Sequence, residues 1–360
     1  MTPPVRKKVR LRKSLKITYS ILGAIILVVG GFAGYIYFKA DQAIGRMAGP
    51  DVSPSPSPST VPGGPNVPTT PLSDEEKSNK PITFLLAGID SREGSGGTLN
   101  TDVLMLGSLN PKTKSASLVS LPRDLQLKPK ELSSHKANYY YAYFYNKDKD
   151  TALTKTREFY SDLFDFPIDY MMMINFNGLR ELADAVGGLD LNVDMDMRYV
   201  DSADKTDINL KKGMQHLNGS QVLDFVRYRK SNRGTQESSD IARNERQQQV
   251  LQGLTNKLSS FQGITQWGHV LDLLGNNVRT DIPESKLREW IMSVNKMKPD
   301  VLDVLPLESR WKSPYIIVKE DDLKAALDGL RKVAELKPVR ELDLADVVGV
   351  DPSPDPDNVH

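Results

Sequence analysis

Acidic and basic side chains stand at the ends of several apolar runs in this chain. Asp90 and Arg92 follow the run 82–87, Asp102 opens the next run, and Arg123 comes directly after a third. Ligands of open α/β sheets bind outside the carboxyl ends of the strands. Arginine donates paired hydrogen bonds to phosphate oxygens, and Mg²⁺ is held by one or two carboxylates together with substrate phosphates. The pattern therefore predicts a site for a magnesium-bridged pyrophosphate.

Two later segments supply further cations. Arg227 and Arg229 follow one predicted helix, and Arg243, Arg246 and Gln247 lie in the first turns of another. The last three are spaced i, i+3 and i+4, so they share a helix face where free amides and the helix dipole favour an anion. Each arginine alone has an ordinary alternative as a surface ion pair or a solvated side chain. Their occurrence together favours a phosphate site.

Other catalytic chemistries lack their residues. The chain has no cysteine, which excludes disulfides, thiolate zinc sites and cysteine nucleophiles. It contains neither a P-loop motif nor a His-Glu-x-x-His motif, and its four histidines are scattered. Residues 133–136 fit the Ser-x-x-Lys motif of penicillin-binding proteins, but the companion motifs are missing. We therefore expect chemistry carried by arginines and carboxylates.

The N-terminal segment predicts a membrane anchor. Residues 1–16 form a basic tip, and residues 17–38 are 22 uncharged residues, long enough for one transmembrane helix. A cleaved signal peptide is the alternative, but the apolar stretch is long for one and has no convincing cleavage site. By the positive-inside rule the N-terminus stays in the cytoplasm. We therefore expect a single-pass cell-membrane protein whose catalytic domain is extracellular.

Charge is distributed unevenly along the chain. Eight of the 47 lysines and arginines lie in residues 1–40, where there is no aspartate or glutamate. The remainder of the chain has 39 basic and 46 acidic residues, a net charge of −7. An acidic body of this kind does not suggest a nucleic-acid partner.

Composition divides the rest of the chain into three parts. Residues 39–79 contain a stretch rich in proline, serine and glycine and predict an extended extracellular linker. Residues 80–339 alternate predicted strands with helical patterns, which favours one α/β domain. Residues 340–360 end in repeated Asp-Pro and predict a disordered tail.

The motifs, taken in order over about 80–260, resemble the LytR-CpsA-Psr (LCP) family. The most specific are Ser-Leu-Pro-Arg-Asp at 120–124, Val-Arg-Tyr-Arg at 226–229 and Arg-Asn-Glu-Arg-Gln-Gln at 243–248. Gly-Ile-Asp-Ser-Arg at 88–92 supports the resemblance, as does the layout of basic tip, single span and external domain. The resemblance implies a three-layer α/β/α sandwich of the LCP type after a single N-terminal transmembrane helix.

The resemblance also implies the reaction and the roles of the residues. The implied enzyme is a phosphotransferase that uses Mg²⁺ to move a phosphate-linked glycopolymer from a polyprenyl-pyrophosphate carrier to a cell-wall acceptor such as peptidoglycan. The implied metal ligands are Asp90 and Asp102. The implied catalytic residues are Asp90, Asp102, Arg123 and Arg243. The implied pyrophosphate contacts are Arg92, Arg123, Arg227, Arg229, Arg243 and Gln247.

Several alternatives stay open at this point. Asn100 stands where many family members have an arginine, so one phosphate donor is absent or supplied from elsewhere. Either Asp90 or Asp102 is a candidate general base. A non-catalytic extracellular binder of anionic glycolipid or wall polymer is the alternative function, and a membrane-anchored transcriptional attenuator is disfavoured by the acidic body. The tyrosine-rich segment 139–145 and the methionines at 171–173 are candidates for a lipid slot, although both are more typical of a core.

Overall fold

The computed structural model describes most of the predicted domain and a short segment before it. The described residues are 35–48, 80–89, 99–202, 206–238, 240–258, 267–293, 297–338 and 343–351. The predicted basic tip, the 17–34 part of the predicted span, the 49–79 part of the predicted linker, the segment carrying Asp90 and Arg92, and the 352–360 part of the predicted tail lie outside them. Within the described residues, no helix combines the length and apolar character needed to cross a membrane.

The strands follow one another along the chain from residue 82 to residue 351. They are β1 (Ile82–Ile89), β2 (Thr101–Asn110), β3 (Ser115–Ser120), β4 (Gln126–Leu127), β5 (His135–Lys136), β6 (Tyr170–Asn175), β7 (Leu189–Val193), β8 (Met197–Asp201), β9 (Thr206–Leu210), β10 (Gly213–Leu217), β11 (Val278–Thr280), β12 (Val301–Leu305), β13 (Ser309–Lys312), β14 (Tyr315–Lys319) and β15 (Val350–Asp351). A six-stranded sheet in the order β11-β6-β1-β2-β3-β12 forms the centre of the domain.

Helices alternate with these strands, as the sequence predicts for an α/β domain. They are α1 over residues 35–47, α2 (Tyr139–Lys147), α3 (Ala152–Leu163), α4 (Phe176–Ala185), α5 (Gly219–Arg227), α6 (Asp240–Leu258), α7 (Trp267–Asn277), α8 (Glu284–Met292), α9 (Glu320–Val333) and α10 (Leu344–Val347).

Helices cover both faces of the central sheet, and β6 shows how. Its residues Met171 and Met173 belong to the main core, which they share with side chains from α2, α3 and α9. The intervening residues Met172 and Ile174 face a smaller core that includes α1 and α8. Because successive side chains of a strand point to opposite faces, this division gives helix, sheet and helix layers at β6. The methionines and the buried tyrosines of α2 are therefore core residues.

A second core lies beside the sheet and belongs to the segment that carries the later arginines. It joins α4, the two-stranded sheets β7–β10 and β8–β9, α5, α6 and α7. Asn218 opens α5 with a reciprocal capping box to Gln221. Gly219 is required at the first position of α5, because any Cβ there would collide with the Arg180 carbonyl oxygen of α4. This close approach fixes the direction of α5 and so the position of the arginines at its end.

The start of the predicted linker differs from an extended tether. Residues 35–47 form α1, whose Ala43 and Ile44 are buried against α7, α8 and β11. The physical reason is visible in the sequence, because apolar residues at 40, 43, 44 and 47 have the i, i+3, i+4, i+7 spacing of an amphipathic helix. The segment that directly follows the predicted span is thus part of the folded domain.

The prediction of a disordered tail is wrong over residues 343–351. These residues form α10 and β15, and Leu344, Val347 and Val348 are buried in the main core. The apolar residues that precede the Asp-Pro repeats therefore pack against the domain.

Candidate phosphate site

The register of the sheet brings Asp102 and Arg123 to the same edge. β1 and β3 are both antiparallel to β2, so the carboxyl ends of β1 and β3 lie beside the beginning of β2. We call this edge the site end of the sheet; β6 and β12 also finish there, since they run parallel to β1 and β3. At the site end Arg123 Nη1 lies 2.5 Å from Asp102 Oδ1. The predicted meeting of an acid and an arginine at strand ends is therefore found in the structure.

Asp124 is a further acid of the site that the sequence-based list of site residues leaves out. One carboxylate oxygen lies 3.0 Å from Lys136 Nζ and the other lies 3.5 Å from Arg123 Nε. Burial of this carboxyl opposes its ionisation, but the hydrogen bond from Lys136 and the charges of Arg123, Lys136 and Arg229 outweigh burial and lower the pKa of Asp124. Asp124 is therefore a fixed negative charge that holds the Arg123 guanidinium in place.

Three arginines interact with one another at the site end. Burial of the Arg229 guanidinium, together with repulsion from the charges of Arg123 and Arg243, lowers the pKa of Arg229 to about 10. The carboxylates of Asp102 and Asp124 oppose this lowering only in part. Like charges that lie close together repel one another, and a bound anion relieves this repulsion. The cluster of Arg123, Arg229 and Arg243 is therefore arranged to accept a multiply charged anion.

Unpartnered polar atoms surround the same place. Among the described residues, Thr101 Oγ1, Ser120 Oγ and Arg123 Nε are buried without a hydrogen-bond partner. All three lie at the site end, where β2 begins and β3 finishes. A buried polar group without a partner costs about 1–3 kcal/mol, which makes such a group unusual in a native structure. The two hydroxyl groups are suited to hydrogen bonds with ligand oxygens, whereas Arg123 Nε faces the carboxylate of Asp124 at 3.5 Å.

Two cavities open near these groups. One of about 180 Å³ lies between Ser120, the 304–308 segment after β12, and Glu245 and Gln248 of α6. The other, of about 190 Å³, is lined by Arg227 and Arg229 together with Asp224. The Arg227 guanidinium also lies 5.9 Å from the Phe176 ring centre, within the range of a cation–π contact. Two of the predicted phosphate contacts, Arg227 and Arg229, thus border a space that a ligand can enter.

Asp224 is a second acid that sequence reasoning does not select. Burial, with a smaller contribution from the negative charge of Asp207, raises the pKa of Asp224 to about 6. A carboxyl of this kind in a cavity lined by arginines is able to exchange a proton near neutral pH. The available signal was the helix-turn spacing between Asp224 and Arg227, but the sequence alone does not predict that the carboxyl is buried.

The three residues that the helix spacing groups together have different surroundings. Arg243 and Gln247 are half-buried, and the charge of Arg243 acts on Arg229. Arg246 instead is 0% exposed, and its Nε and Nη2 each lie 2.7 Å from an oxygen of Asp194. The prediction of a shared anion-binding face is therefore wrong for Arg246, because the partly buried carboxylate of Asp194, directly after β7, pairs with its guanidinium.

Arg246 nevertheless supports the site from inside the second core. Its Nη1 donates to the Tyr228 carbonyl oxygen at 3.3 Å, between Arg227 and Arg229. The Tyr228 hydroxyl donates to the Gln236 carbonyl oxygen at 2.6 Å. These bonds fix the backbone that carries the two arginines. Arg246 is a positioning residue rather than a phosphate ligand.

Comparisons with known proteins identify the family. The model described as the LytR_cpsA_psr family matches residues 55–332. The chain belongs to the LytR_cpsA_psr family. The predicted family resemblance is therefore confirmed.

Relatives of known name share most of this LytR_cpsA_psr chain. The polyisoprenyl-teichoic acid–peptidoglycan teichoic acid transferase TagU of Bacillus cereus is 32% identical over 76% of this chain and 81% of its own length. The protein of the same name from Bacillus subtilis is 29% identical over 77% and 80%. These names and the family confirm the prediction that the chain is a transferase enzyme of this family.

Solved structures resemble the fold of this LytR_cpsA_psr domain. The protein gbs0355 of Streptococcus agalactiae is 26% identical, with a TM-score of 0.60 over 74% of this chain and 92% of that chain. TagT bound to LI-WTA is 22% identical, with a TM-score of 0.57 over 72% and 92%. The mixed α/β fold is thus shared with LCP-family domains.

Whether Mg²⁺ fits the site of this LytR_cpsA_psr domain depends on the oxygen donors at the site end. Asp102 lies at the site end beside the unpartnered oxygens of Thr101 and Ser120, and hard oxygen donors of this kind suit Mg²⁺. The described residues contain no group of three or more acidic, histidine or cysteine side chains able to hold a metal. Mg²⁺ takes few protein ligands when substrate phosphates complete its shell, so the donor set around Asp102 fits the ion.

Proposed function

We propose that this enzyme transfers a phosphate-linked glycopolymer from a polyprenyl-pyrophosphate carrier to a hydroxyl group of a cell-wall acceptor such as peptidoglycan. The observation that carries the proposal is the cluster of Arg123, Arg229 and Arg243 at the site end, whose guanidinium charges act on one another. A pyrophosphate diester is an anion of the kind that several guanidinium groups bind through paired hydrogen bonds. The names of the TagU relatives support teichoic acid as the glycopolymer class.

The proposed reaction needs no energy source besides the carrier. The acceptor hydroxyl oxygen attacks the phosphorus that bears the glycan, and the bond from that phosphorus to the bridging oxygen breaks. Polyprenyl phosphate leaves with the bond electrons, and the acceptor proton passes to a carboxylate. Arg123 and Arg229 stabilise the negative charge that develops on the phosphoryl and bridging oxygens. Fixed guanidinium groups do this without reorganising during the step.

A divalent metal is part of the proposal. Asp102 and Asp90 would hold Mg²⁺, which when bound supplies Lewis-acid polarisation of the phosphate oxygens. Asp102 also contacts Arg123, so the carboxylate that would hold the ion is the one that positions the Arg123 guanidinium beside it. Arg92, Arg227 and Gln247 are proposed as further phosphate contacts.

The proton acceptor is proposed from three acids. Asp90 and Asp102 are poor bases while they bind a cation, because a cation lowers carboxylate basicity. Asp224 has a pKa raised to about 6 by burial and lines the cavity beside Arg227 and Arg229. We therefore favour Asp224 as the group that takes the acceptor proton.

The location of the enzyme is also a proposal. The basic tip and the uncharged stretch 17–38 support a single-pass anchor with a cytoplasmic N-terminus and an extracellular catalytic domain. A polyprenyl carrier resides in the same membrane, so an anchored enzyme meets its donor at the bilayer surface.

Turnover of a defined donor tests the proposed function. The full chain in detergent is incubated with a labelled polyprenyl-pyrophosphate glycan, peptidoglycan oligomers and Mg²⁺. We expect release of polyprenyl phosphate with transfer of label to the acceptor, loss of both with EDTA or Arg123→Ala, and full activity with Arg310→Ala. Arg310 is the matched control, since its guanidinium forms an exposed ion pair with Asp351. Tight donor binding without turnover over several glycans would favour the non-catalytic binder instead.

A further inference from the structure

Helix α1 enters the domain beside α7 and in the same direction. Near the start of both helices, a Cβ on Gly268 would lie 3.0 Å from the Tyr35 ring. Further along, a Cβ on Gly275 would lie 2.9 Å from Ala43 Cα, so the two backbones are in direct contact. From the first contact to the second, the residue number increases in both helices. The two helices are therefore parallel, and α1 is seated along its length.

The direction of α1 relative to the sheet follows from one bridge. Ala48, at the end of α1, pairs in parallel with Thr280 of β11. β11 is antiparallel to β6, and β6 finishes at the site end. The chain at Ala48 therefore runs away from the site end. The parallel helix α7 leads into β11 without an intervening loop, and a common direction for α1, α7 and β11 puts residue 35 on the side of the domain where the arginine cluster is found.

Polar and apolar contacts hold α1 in this orientation. Lys39 Nζ and Arg46 Nη2 lie 2.7 and 2.9 Å from the two oxygens of Asp272 in α7. Arg288 of α8 pairs with Asp41 from the other side. Ala43 and Ile44 of α1 are completely buried beneath these pairs, in the small core. A helix attached by a core and by bridges on two sides behaves as a rigid extension of the domain.

We propose that α1 holds the domain against the outer surface of a lipid bilayer with the site end facing the headgroups. The inference rests on the proposed membrane anchor, whose last residues, 35–38, already belong to α1. Tyr37 and Phe38 are 63% and 57% exposed at the start of the helix. Aromatic residues with this exposure are typical of the bilayer interface. The phosphates of a membrane-embedded donor lie at headgroup level, directly before the arginine cluster.

This arrangement changes the role of the proline-rich segment. Residues 49–79 join Ala48 in one part of the domain to β1 in another, and both parts belong to the same folded unit. The length of such a connection does not set the distance between domain and membrane. The distance is set by α1, which leaves no spacer between the predicted span and the catalytic domain.

Energy transfer to membrane lipids tests the orientation. The chain has no cysteine, so single dye positions are introduced as Asn100→Cys, directly before β2 at the site end, and Thr113→Cys, in the turn between β2 and β3. These positions are separated by the length of β2, roughly 30 Å at ~3.4 Å per residue. In full chain reconstituted in phosphatidylglycerol nanodiscs with an acceptor lipid, we expect severalfold stronger transfer from residue 100. Equal transfer, or stronger transfer from residue 113, would overturn the proposal.

A matched pair of glycine variants tests whether α1 is responsible. In Gly275→Leu the new side chain collides with the Ala43 backbone and displaces α1, so the difference between the two dye positions should disappear. In Gly45→Ala the nearest atom to the new Cβ is 3.7 Å away, so the difference should persist. The double variant Lys39→Ala/Arg46→Ala removes the ion pairs to Asp272 without introducing a larger side chain, and it should reduce the difference. A difference that persists in both Gly275→Leu and the double variant would contradict the role of α1.

Two further outcomes separate this inference from the proposed function. A chain that washes off the nanodiscs would overturn both the anchor and the orientation. Transfer from a water-soluble short-chain donor in detergent measures the proposed reaction without any bilayer. Activity there with no orientation difference contradicts only the inference, whereas orientation without activity contradicts only the proposed function.

Discussion

The domain contains two arginine sites that look alike in sequence and differ in structure. Arg246 is fully buried, and the two oxygens of Asp194 satisfy its charge and two of its donors. Arg229 is exposed by comparison, and partial desolvation of its guanidinium together with the positive charges of Arg123 and Arg243 lowers its pKa to about 10. A buried arginine whose charge is balanced stabilises the fold. An arginine held among like charges beside a cavity is arranged for a ligand.

The largest effect on stability is expected at Arg246, whose charge is balanced by Asp194. Arg246→Ala leaves the Asp194 carboxylate, which is 32% exposed, without its buried partner, so we expect a cost near the lower end of the range of about 3–5 kcal/mol for breaking a buried pair from one side. We expect the free energy of unfolding in urea to fall by this amount. Lys155→Ala, in the exposed pair with Glu158 on α3, is the control and should change stability by less than about 1 kcal/mol. An Arg246→Ala protein as stable as the control would remove the distinction between the two sites.

At the arginine cluster we expect the opposite result: a substitution there should lower activity without lowering stability. Arg229→Ala removes a guanidinium that stabilises developing charge, and loss of one such donor lowers turnover about 10²–10³-fold. The free energy of unfolding should stay the same or rise, because repulsion from Arg123 and Arg243 is relieved. Turnover and urea unfolding are measured on the same preparation. A loss of stability that matches the loss of activity would assign Arg229 a structural role.

Anion binding gives a smaller effect and isolates the cluster without chemistry. Inorganic pyrophosphate should raise the midpoint of thermal unfolding, with a stabilisation of about 2.7 kcal/mol at a concentration one hundred times the dissociation constant. The shift should vanish in Arg123→Ala and remain in Arg310→Ala. A shift that is equal in all three proteins would place the anion elsewhere.

The smallest effect concerns two carboxyls with opposite pH dependence. The pKa of Asp224 is raised to about 6, so this group favours the folded state at low pH and its contribution is lost as pH rises from about 3.8 through 6. The pKa of Asp124 is lowered, so its contribution is present above the unfolded value and is lost as pH falls. Asp224→Asn should therefore raise the free energy of unfolding at pH 7 by about 1–2 kcal/mol, allowing for partial exposure.

The pH profile of activity is the companion measurement for Asp224. If this carboxyl takes the acceptor proton, Asp224→Asn should lower turnover and remove the acidic limb near pH 6, whereas a purely structural role changes stability alone. Urea unfolding at pH 5 and pH 7 serves as the internal reference. A variant with an unchanged pH profile would return the choice of base to Asp90 and Asp102.

The sequence predicts the site end well and the support around it poorly. Asp102 and Arg123 stand at the ends of apolar runs, and local composition is enough to predict that these runs are strands. Because strand ends meet at one edge of an α/β sheet, the contact between the two residues can be predicted. The role of Arg246 depends on Asp194, 52 residues away and next to a strand that the apolar pattern does not predict. Helix spacing gives the face of a residue but not its partner. Whether a carboxylate balances the charge of a given arginine can therefore be determined only from the tertiary structure.

The same limit applies to α1. Its apolar spacing is present in the sequence, but the preceding uncharged stretch and the following prolines dominate composition and predict a span and a tether. The residues that α1 contacts include Asp272 of α7 and Thr280 of β11, more than 220 residues further along the chain. Long-range contacts of this kind leave no local pattern from which docking can be predicted.

A crystal structure of the protein with a short-chain polyprenyl pyrophosphate and Mg²⁺ tests the central claim most directly. We predict both phosphates at the site end, within hydrogen-bond distance of the guanidinium groups of Arg123, Arg229 and Arg243, with the Arg246–Asp194 pair unchanged. A pyrophosphate bound away from these three arginines, or one that recruits Arg246 from Asp194, would contradict the account.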